Sequence, residues 1–348
     1  MNTFWHNLPK PFFVLAPMEA VTDVVFRHVV AKAARPDVFF TEFTNATGWF
    51  RAGNQAIGGR LIKTDEENPI VAQLWGSDPE AMAALSAHCV TLGYDGIDIN
   101  MGCPDQSAIK GGGGAGMIRT PELAYDIVKA AKSSGLPVSV KTRLGYSRVD
   151  EWPEWLGGLL HQDLAVLTIH LRTKKEMSKV PAHFELIGEI KALRDSIAPN
   201  TLLVINGDVR DRTHGMEFYD QYGVDGVMIG RGVFANPFCF EAREAQDETA
   251  IPTKHLQPEK FNDENSKNFP REAVSSEWMA SRYTRLIALL QFHLDEYDNY
   301  SERTGRPFET LKRFFKIYIR DFAGASELRD QLMHCKTTDE VRDILATL

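Results

Sequence analysis

The chain has 348 residues, of which 43% are hydrophobic, and 39 Lys and Arg against 47 Asp and Glu give it a formal net charge of −8. This length allows a large domain with its own core and a smaller second one. The acidic balance argues against indiscriminate binding to nucleic acid, but it allows a local basic face.

Several classes of protein are disfavoured by the sequence. No run of 18 apolar residues occurs, so we expect no membrane span. The first ten residues lack the pattern of a signal peptide. The four cysteines are scattered without CxxC or Cys/His spacing, which disfavours both a metal site and a disulfide framework: Cys89, Cys103, Cys239 and Cys335. We therefore expect a cytoplasmic protein without a metal.

Apolar strand patterns alternate with helical patterns over the first 240 or so residues. We predict strands at 12–16, 38–41, 70–74, 96–100, 138–142, 165–170, 202–206 and 226–230. We predict helices at 23–33, 79–92, 121–133, 154–162, 184–197 and 210–222, whereas the link 42–69 shows no clear pattern. Eight such units indicate a (β/α)8 TIM barrel. The rival is a doubly wound sheet, but the GxGxxG turn of a dinucleotide-binding sheet does not follow the first strand.

The composition changes after the last predicted strand. Residues 244–276 are polar and charged without an apolar period, and we interpret them as a linker. Residues 277–348 regain helical periodicity and predict a small domain of about four helices. The predicted organisation is therefore a barrel at 1–243, a linker at 244–276 and a helical domain at 277–348.

Almost every predicted strand ends in a polar residue or a glycine. In a barrel, such positions form the active site at the carboxyl ends of the strands. The set comprises Pro17, Met18, Glu42, Gln73, Asn100, Cys103, Lys141, Arg143, His170, Asn206, Gly207, Asp208, Gly230 and Arg231. Polar groups at buried edges cost free energy unless they are satisfied, so their concentration indicates a site.

Cys103 is the candidate for chemistry. It lies between Gly102 and Pro104, just past a strand and before a glycine-rich loop, which favours a reactive thiol over the alternative of a packed one. A neutral thiol with a pKa near ~8.5 suits proton donation. Glycines and a cation after the last two strands predict a phosphate site, with Lys141 and His170 between it and the thiol. FMN fits such an elongated, phosphorylated ligand.

At this point the chain resembles the tRNA-dihydrouridine synthases. The resemblance depends on Ala-Pro-Met-Glu-Ala-Val-Thr-Asp at 16–23, Asp-Ile-Asn-Met-Gly-Cys-Pro at 98–104 and Lys-Thr-Arg-Leu-Gly at 141–145. It continues with His-Leu-Arg-Thr at 170–173, Asn-Gly-Asp at 206–208 and Met-Ile-Gly-Arg at 228–231, and it spans residues 12–240. The chain departs from the family pattern at two places: it has Glu19-Ala20 where many members have Ala-Gly, and Leu171 where a glycine usually follows the histidine.

The resemblance implies an activity and assigns roles. FMN would lie on the barrel mouth, NADPH would reduce it, and hydride would pass from the flavin to C6 of a uracil in tRNA. Cys103 would donate the proton to C5. The residues expected at the flavin are Pro17, Met18, Gln73, Lys141, His170, Asn206, Gly207, Asp208, Gly230 and Arg231. Asn100 is the candidate for pairing with the uracil edge.

Two basic stretches are candidates for holding the RNA. The helical domain carries Lys312, Arg313 and Lys316 within a stretch that also contains Arg303, Arg306 and Arg320. The alternative is that these charges form a solvated face while Phe314, Phe315 and Tyr318 form the helix core. A loop at the barrel mouth, residues 172–179, is the second candidate and supplies Arg172, Lys174, Lys175 and Lys179. We expect tRNA and NADPH as partners of a monomeric protein.

Two other functions stay open on the sequence alone. One is an FMN barrel that acts on a free pyrimidine, such as a dihydroorotate dehydrogenase, which would need no RNA module. The other is a non-catalytic RNA-binding barrel. The presence of Cys103, Lys141 and His170 together argues against the second.

Overall fold

The computed structural model describes residues 3–242 and 276–347. Its parallel strands are β1 (Phe12–Leu15), β2 (Phe39–Phe40), β3 (Thr44–Asn45), β4 (Ile70–Trp75), β5 (Gly96–Asn100), β6 (Val138–Arg143), β7 (Val166–His170), β8 (Leu202–Asn206) and β9 (Gly226–Ile229). Their order is β1-β9-β8-β7-β6-β5-β4-β2, with β3 also paired to β4. A bridge between Val14 and Val38 closes the ring. The predicted TIM barrel with a C-terminal helical part is confirmed.

Helices surround this ring and continue after it. In the barrel they are α1 (Val24–Ala33), α2 (Ala46–Ala52), α3 (Pro79–Thr91), α4 (Gln106–Lys110), α5 (Pro121–Lys132), α6 (Trp152–Leu160), α7 (Ile187–Ile197), α8 (Arg212–Tyr222) and α9 (Gly232–Ala235). After it come α10 (Ser276–Thr304), α11 (Glu309–Lys312), α12 (Phe315–Tyr318), α13 (Ala325–His334) and α14 (Thr338–Leu345). Among the described residues, no helix is long and apolar enough to cross a bilayer.

Local sequence signals set several helix starts. Asp23 and Asp211 each accept a hydrogen bond from a backbone N–H in the first turn of α1 and α8. Proline occupies the first position of α3 and α5, where its missing N–H has no consequence. The predicted boundaries of these helices therefore differ from the structure by two residues at most.

The region 42–69 differs more from expectation. It contains β3, α2 and three 3-10 turns, at Gly53–Ala56, Gly58–Leu61 and Asp65–Glu67. The second strand ends at Phe40 because the hydroxyl of Thr41, not a carbonyl, accepts the N–H of Gln73 at 3.0 Å. The C-terminal part has five helices in residues 276–347, two of them only four residues long, where about four were predicted. The predicted linker lies outside the described residues apart from Ser276.

The barrel interior is divided into an apolar and a polar half. Phe12, Val14 and Val204 belong to an interior apolar cluster, which Trp5 from the N-terminal turn joins with its ring 5.6 Å from that of Phe12. Across the interior, β4, β5 and β6 contribute buried polar side chains, among them Asp98 and Ser139. The interior is thus a packed core whose polar half leads to the mouth.

The C-terminal helices pack on α1 and share its core. Phe26 of α1 stacks on Phe314 with ring centroids 4.8 Å apart, and Phe234 of α9 lies 6.0 Å from the same Phe26 ring. The buried His293 of α10 bonds the Tyr318 hydroxyl at 2.7 Å. This apolar interface fixes α10–α12 beside the loop that follows β1.

Candidate active site

Alternation along the strands brings the predicted side chains into one interior. Ser139, Lys141 and Arg143 are every second residue of β6 and therefore share a face. The register pairs Asn100 with Lys141, Arg143 with His170, and His170 with Asn206. Residues from four consecutive strands thus meet at the carboxyl ends of the barrel.

A line of hydrogen bonds among buried side chains of β4, β5 and β6 supports this site from inside the barrel. The Asn100 amide donates to Gln73 at 3.0 Å, the Gln73 amide donates to Asp98 at 2.6 Å, and the Ser139 hydroxyl donates to the other Asp98 oxygen at 2.6 Å. Burial raises the pKa of Asp98 to about 6. The line fixes which end of each amide faces its neighbour.

The Cys103 loop is held by side chains on both sides. The Asn100 side-chain oxygen accepts the N–H groups of Gly102 at 3.1 Å and Cys103 at 2.9 Å, while Arg143 donates to the Gly102 carbonyl at 2.7 Å. The Cys103 carbonyl accepts the N–H of Ala115 at 2.9 Å. Gly114 has φ +54°, and a Cβ there would lie 2.7 Å from that carbonyl. Part of the glycine-rich loop therefore packs on the thiol's own backbone.

The thiol of Cys103 is partly exposed, whereas Cys89, Cys239 and Cys335 are buried. Burial raises the pKa of the Cys103 thiol, opposed first by a hydrogen bond from the Asp105 backbone and then by the charges of Arg143 and Lys141. The group is therefore protonated at neutral pH and can donate its proton.

Lys141 is the site's isolated cation. Its side chain is partly exposed, and its ammonium has no hydrogen-bond or ion-pair partner in residues 3–242 and 276–347. Burial, followed by the neighbouring Arg143 charge, lowers the pKa of Lys141 to about 8. An unpaired cation in such a position is stabilised by an anionic or electron-rich ligand.

His170 and its neighbours form a second cluster at the mouth. Burial and four nearby cations hold the pKa of His170 well below its usual value, so the ring is neutral. The Arg172 guanidinium lies 3.1 Å from His170 Nε2 and can only donate, so Nε2 is the acceptor and Nδ1 carries the proton. Asp208 accepts from both Arg172 and Arg231, the latter at 3.0 Å.

Glycines let the backbone approach this cluster. Gly207 has φ +119°, and a Cβ there would lie 3.0 Å from His170 Cδ2. Asn206 is buried and donates to the Met228 carbonyl at 2.9 Å, which joins β8 to β9. A Cβ on Gly230 would lie 3.4 Å from Ala16 Cβ, beside the loop of Pro17 and Met18.

That loop, residues 16–23, is held by groups from distant parts of the chain. Ala20 has φ 57°, a left-handed conformation that costs a non-glycine residue roughly 1–2 kcal/mol. Its N–H donates to Glu42, which is fully buried and accepts two hydrogen bonds from Arg306 at 2.7 and 2.6 Å. Arg313 donates to the Ala20 carbonyl at 2.9 Å. Glu19 is exposed and pairs with Arg60.

The candidate RNA residues divide into buried and exposed groups. Arg172 is 2% exposed and faces Asp208, so the structure places it inside the site and not on a surface that RNA can reach. Lys179 and Lys316 are exposed. Lys312 lies over the Phe308 ring at 5.6 Å. Phe314, Phe315 and Tyr318 are buried in the helix core, as the alternative interpretation of that stretch proposed.

Sequence reasoning missed several residues that the site depends on. Asp98 and Ser139 carry the buried line, and their position two residues before Asn100 and Lys141 was a usable signal. Arg306 was grouped with the RNA-facing charges, but it pairs with Glu42 across 264 residues of chain. No local pattern indicates such a pair.

The chain is similar to known proteins over almost its whole length. Residues 14–348 match the family model described as dihydrouridine synthase. A Bacillus subtilis protein named "Probable tRNA-dihydrouridine synthase 2" is 53% identical over 99% of this chain and 96% of its own length. A Staphylococcus epidermidis protein named "Probable tRNA-dihydrouridine synthase" is 50% identical over 99% and 96%. A solved structure of a variant of NCR from Zymomonas mobilis is 16% identical, covers 68% of this chain and 89% of that one, and has a TM-score of 0.44.

Proposed function

This chain belongs to the dihydrouridine synthase family, and from that premise we propose that it reduces specific uridines in tRNA to 5,6-dihydrouridine with FMN and NADPH. The single observation that carries the proposal is a partly exposed, protonated thiol in the loop after β5 together with an unpartnered cation on the adjacent strand β6. Cys103 and Lys141 fit reduction of a ring that takes a hydride on one carbon and a proton on the next.

The residues at the mouth fit FMN. Lys141 offers a cation without a protein partner, and Gly207 and Gly230 leave the backbone open beside His170 and Met18. We assign Lys141 to the electron-rich edge of the flavin ring and Pro17, Met18 and Gln73 to its surroundings. The Nδ1–H of neutral His170, with Asn206, Gly207, Asp208, Gly230 and Arg231, would hold the ribityl phosphate end. When bound, the flavin supplies the hydride that it has received from NADPH.

The protein groups act on protons and charge. The Cys103 thiol donates its proton to C5 of the uracil, and its raised pKa keeps the proton available at neutral pH. The Lys141 charge favours negative charge at the ring edge that it faces. Asn100 fixes the Cys103 loop through its side-chain oxygen, and we place the uracil next to this amide.

Charges on both parts of the chain would hold the RNA. Lys316 and Lys179 are exposed and available for phosphates, while Arg313 and Lys312 lie at the junction of α11 and α12 beside the barrel. Arg172 acts on the RNA only through the site that it helps to build. A cytoplasmic location and a monomeric state belong to the same proposal.

The deciding experiment maps dihydrouridine in tRNA from cells with and without the gene, together with turnover of unmodified tRNA by purified protein. The proposal expects yellow protein that releases FMN and positions in tRNA that lose dihydrouridine when the gene is deleted. Reduction of free orotate or uracil without RNA would favour the free-pyrimidine alternative. A protein that binds FAD, or no flavin after reconstitution, would overturn the cofactor assignment.

A further inference from the structure

A basic and aromatic patch borders the barrel mouth on the side of Cys103. It consists of Arg119, Tyr146 and Lys174, one from each loop that follows β5, β6 and β7. The Arg119 guanidinium lies 4.3 Å and the Lys174 ammonium 5.1 Å from the centroid of the Tyr146 ring. These are cation–π distances, so one ring holds two cations close together. We call these three residues the mouth patch.

Backbone contacts fix the three loops to one another. The N–H of Lys174 donates to the Gly145 carbonyl at 2.8 Å, and that of Lys175 donates to the Tyr146 carbonyl at 2.9 Å. The buried Arg143 reaches the Gly102 carbonyl on one loop and the Thr173 carbonyl, at 3.1 Å, on another. The loops that carry the mouth patch are therefore linked to the loop of Cys103.

The patch cations have no acidic partner within the described ranges. Arg119 is exposed and Lys174 partly exposed, and neither forms an ion pair there. The nearby carboxylates are engaged elsewhere: Glu151 accepts the N–H of Tyr146 at 2.6 Å, and Glu176 accepts the N–H of Thr173 at 2.7 Å. Two unpaired cations in a chain of net charge −8 form a local site for an anion.

We propose that the mouth patch binds the phosphate backbone of the tRNA strand next to the uridine that Cys103 protonates. This inference rests on the proposed function. When a uracil reaches Cys103, the phosphates on either side of its nucleotide lie near the surrounding loops, because the base stays covalently attached to the RNA strand. Arg119 and Lys174 supply charges for those phosphates. Tyr146 keeps the two cations at a set spacing, so less side-chain entropy is lost on binding.

The test measures the affinity of purified holoenzyme for an unmodified tRNA at several salt concentrations. The variants are Arg119→Ala, Lys174→Ala and their combination, with Lys129→Ala, an exposed lysine on the outer helix α5, as the matched control. Each patch variant should weaken binding and reduce the log–log salt slope by roughly 0.7–0.9, and the combination by about twice that. Lys129→Ala should behave as the parent.

A second pair of variants tests the role of the ring. Tyr146→Phe keeps the aromatic face and should retain the parental affinity, whereas Tyr146→Leu should weaken binding with the salt slope nearly unchanged. The rate at which NADPH reduces the bound flavin is measured for every variant. Parental tRNA affinity and salt slope in the double variant would overturn the inference. So would slower reduction by NADPH with unchanged tRNA binding, since the patch would then serve the reductant. A parent protein that forms no dihydrouridine would instead reject the proposed function.

Discussion

At the scale of single residues, the environment of each side chain decides its protonation state. Cys103, Lys141 and His170 all lie within a few residues of strand ends, and each has a pKa displaced mainly by burial. The thiol keeps its proton, the imidazole stays neutral, and the lysine is mostly charged at pH 7. Near neutral pH the site therefore has an acid in Cys103, a hydrogen-bond donor in His170 and a cation in Lys141.

The role of Cys103 predicts a specific loss. Cys103→Ala should lower dihydrouridine formation by about 10²–10⁴, the usual scale for a removed general acid. FMN content and reduction by NADPH should stay near parental values, because the loop is held by Asn100 and Arg143 and not by the thiol. Cys335→Ala, a buried thiol of the helical part, is the control. Parental turnover in Cys103→Ala would reject the proton-donor role.

The lowered pKa of Lys141 predicts a pH dependence for flavin binding. The lysine is charged below about pH 8 and loses its charge above it, so the affinity of apoprotein for FMN should fall as pH rises through that value. Fluorescence titration of FMN measures this. Lys141→Arg should remove the step while keeping affinity, and Lys141→Met should bind weakly at every pH. The same falling profile in Lys141→Met would show that another group titrates.

At the scale of elements, the loop after β1 depends on the C-terminal helices. Its Ala20 has a left-handed backbone, and three groups hold it there: Glu42 at its N–H, Arg313 at its carbonyl and Arg306 behind Glu42. Pro17 and Met18 belong to this loop. The helical part thus shapes one wall of the proposed flavin site.

Removing the Arg306 contact should therefore affect both stability and cofactor binding. Arg306→Met leaves the buried Glu42 carboxylate unpaired, which costs about 3–5 kcal/mol. Urea unfolding should show this loss, and FMN affinity should fall with it. Glu42→Gln combined with Arg306→Met should cost less than the sum of the two changes, since the double variant leaves no buried charge.

Arg303→Met is the control for that cycle, because Arg303 is an exposed arginine that lies over Tyr300 at 5.2 Å. It should leave unfolding and FMN binding near parental values. Strictly additive effects in the Glu42 and Arg306 cycle would mean that the two residues act independently and that the loop is held by other contacts.

At the scale of the whole molecule, tRNA would be bound on two sides of the barrel mouth. On the helical side, Lys316 has no partner within residues 3–242 and 276–347, whereas Arg313 is bonded to the barrel. Lys316→Ala should therefore weaken tRNA binding and reduce the salt slope by roughly 0.7–0.9 without changing FMN affinity. Arg313→Ala should also lower FMN affinity. If Lys316→Ala retains the parental slope, the helical part does not contact phosphates there.

The sequence by itself determined the barrel and most of its strand positions, and it supplied the candidates for the reactive positions. Short apolar runs, capping residues and glycines are local signals, so they predicted strands such as β5 and β8 with the bounds that the structure has. The motif that carries Cys103 was also local, which is why both the family and the candidate thiol could be recognised from the order of residues alone.

Only the tertiary structure decided which partner each charge has. Arg172 and Arg306 belong to basic stretches in the sequence, yet one faces Asp208 inside the mouth and the other pairs with Glu42 across 264 residues. The mouth patch likewise combines residues from three loops. Ion pairing depends on distance and burial in space, and neither is encoded in the spacing of charges along the chain.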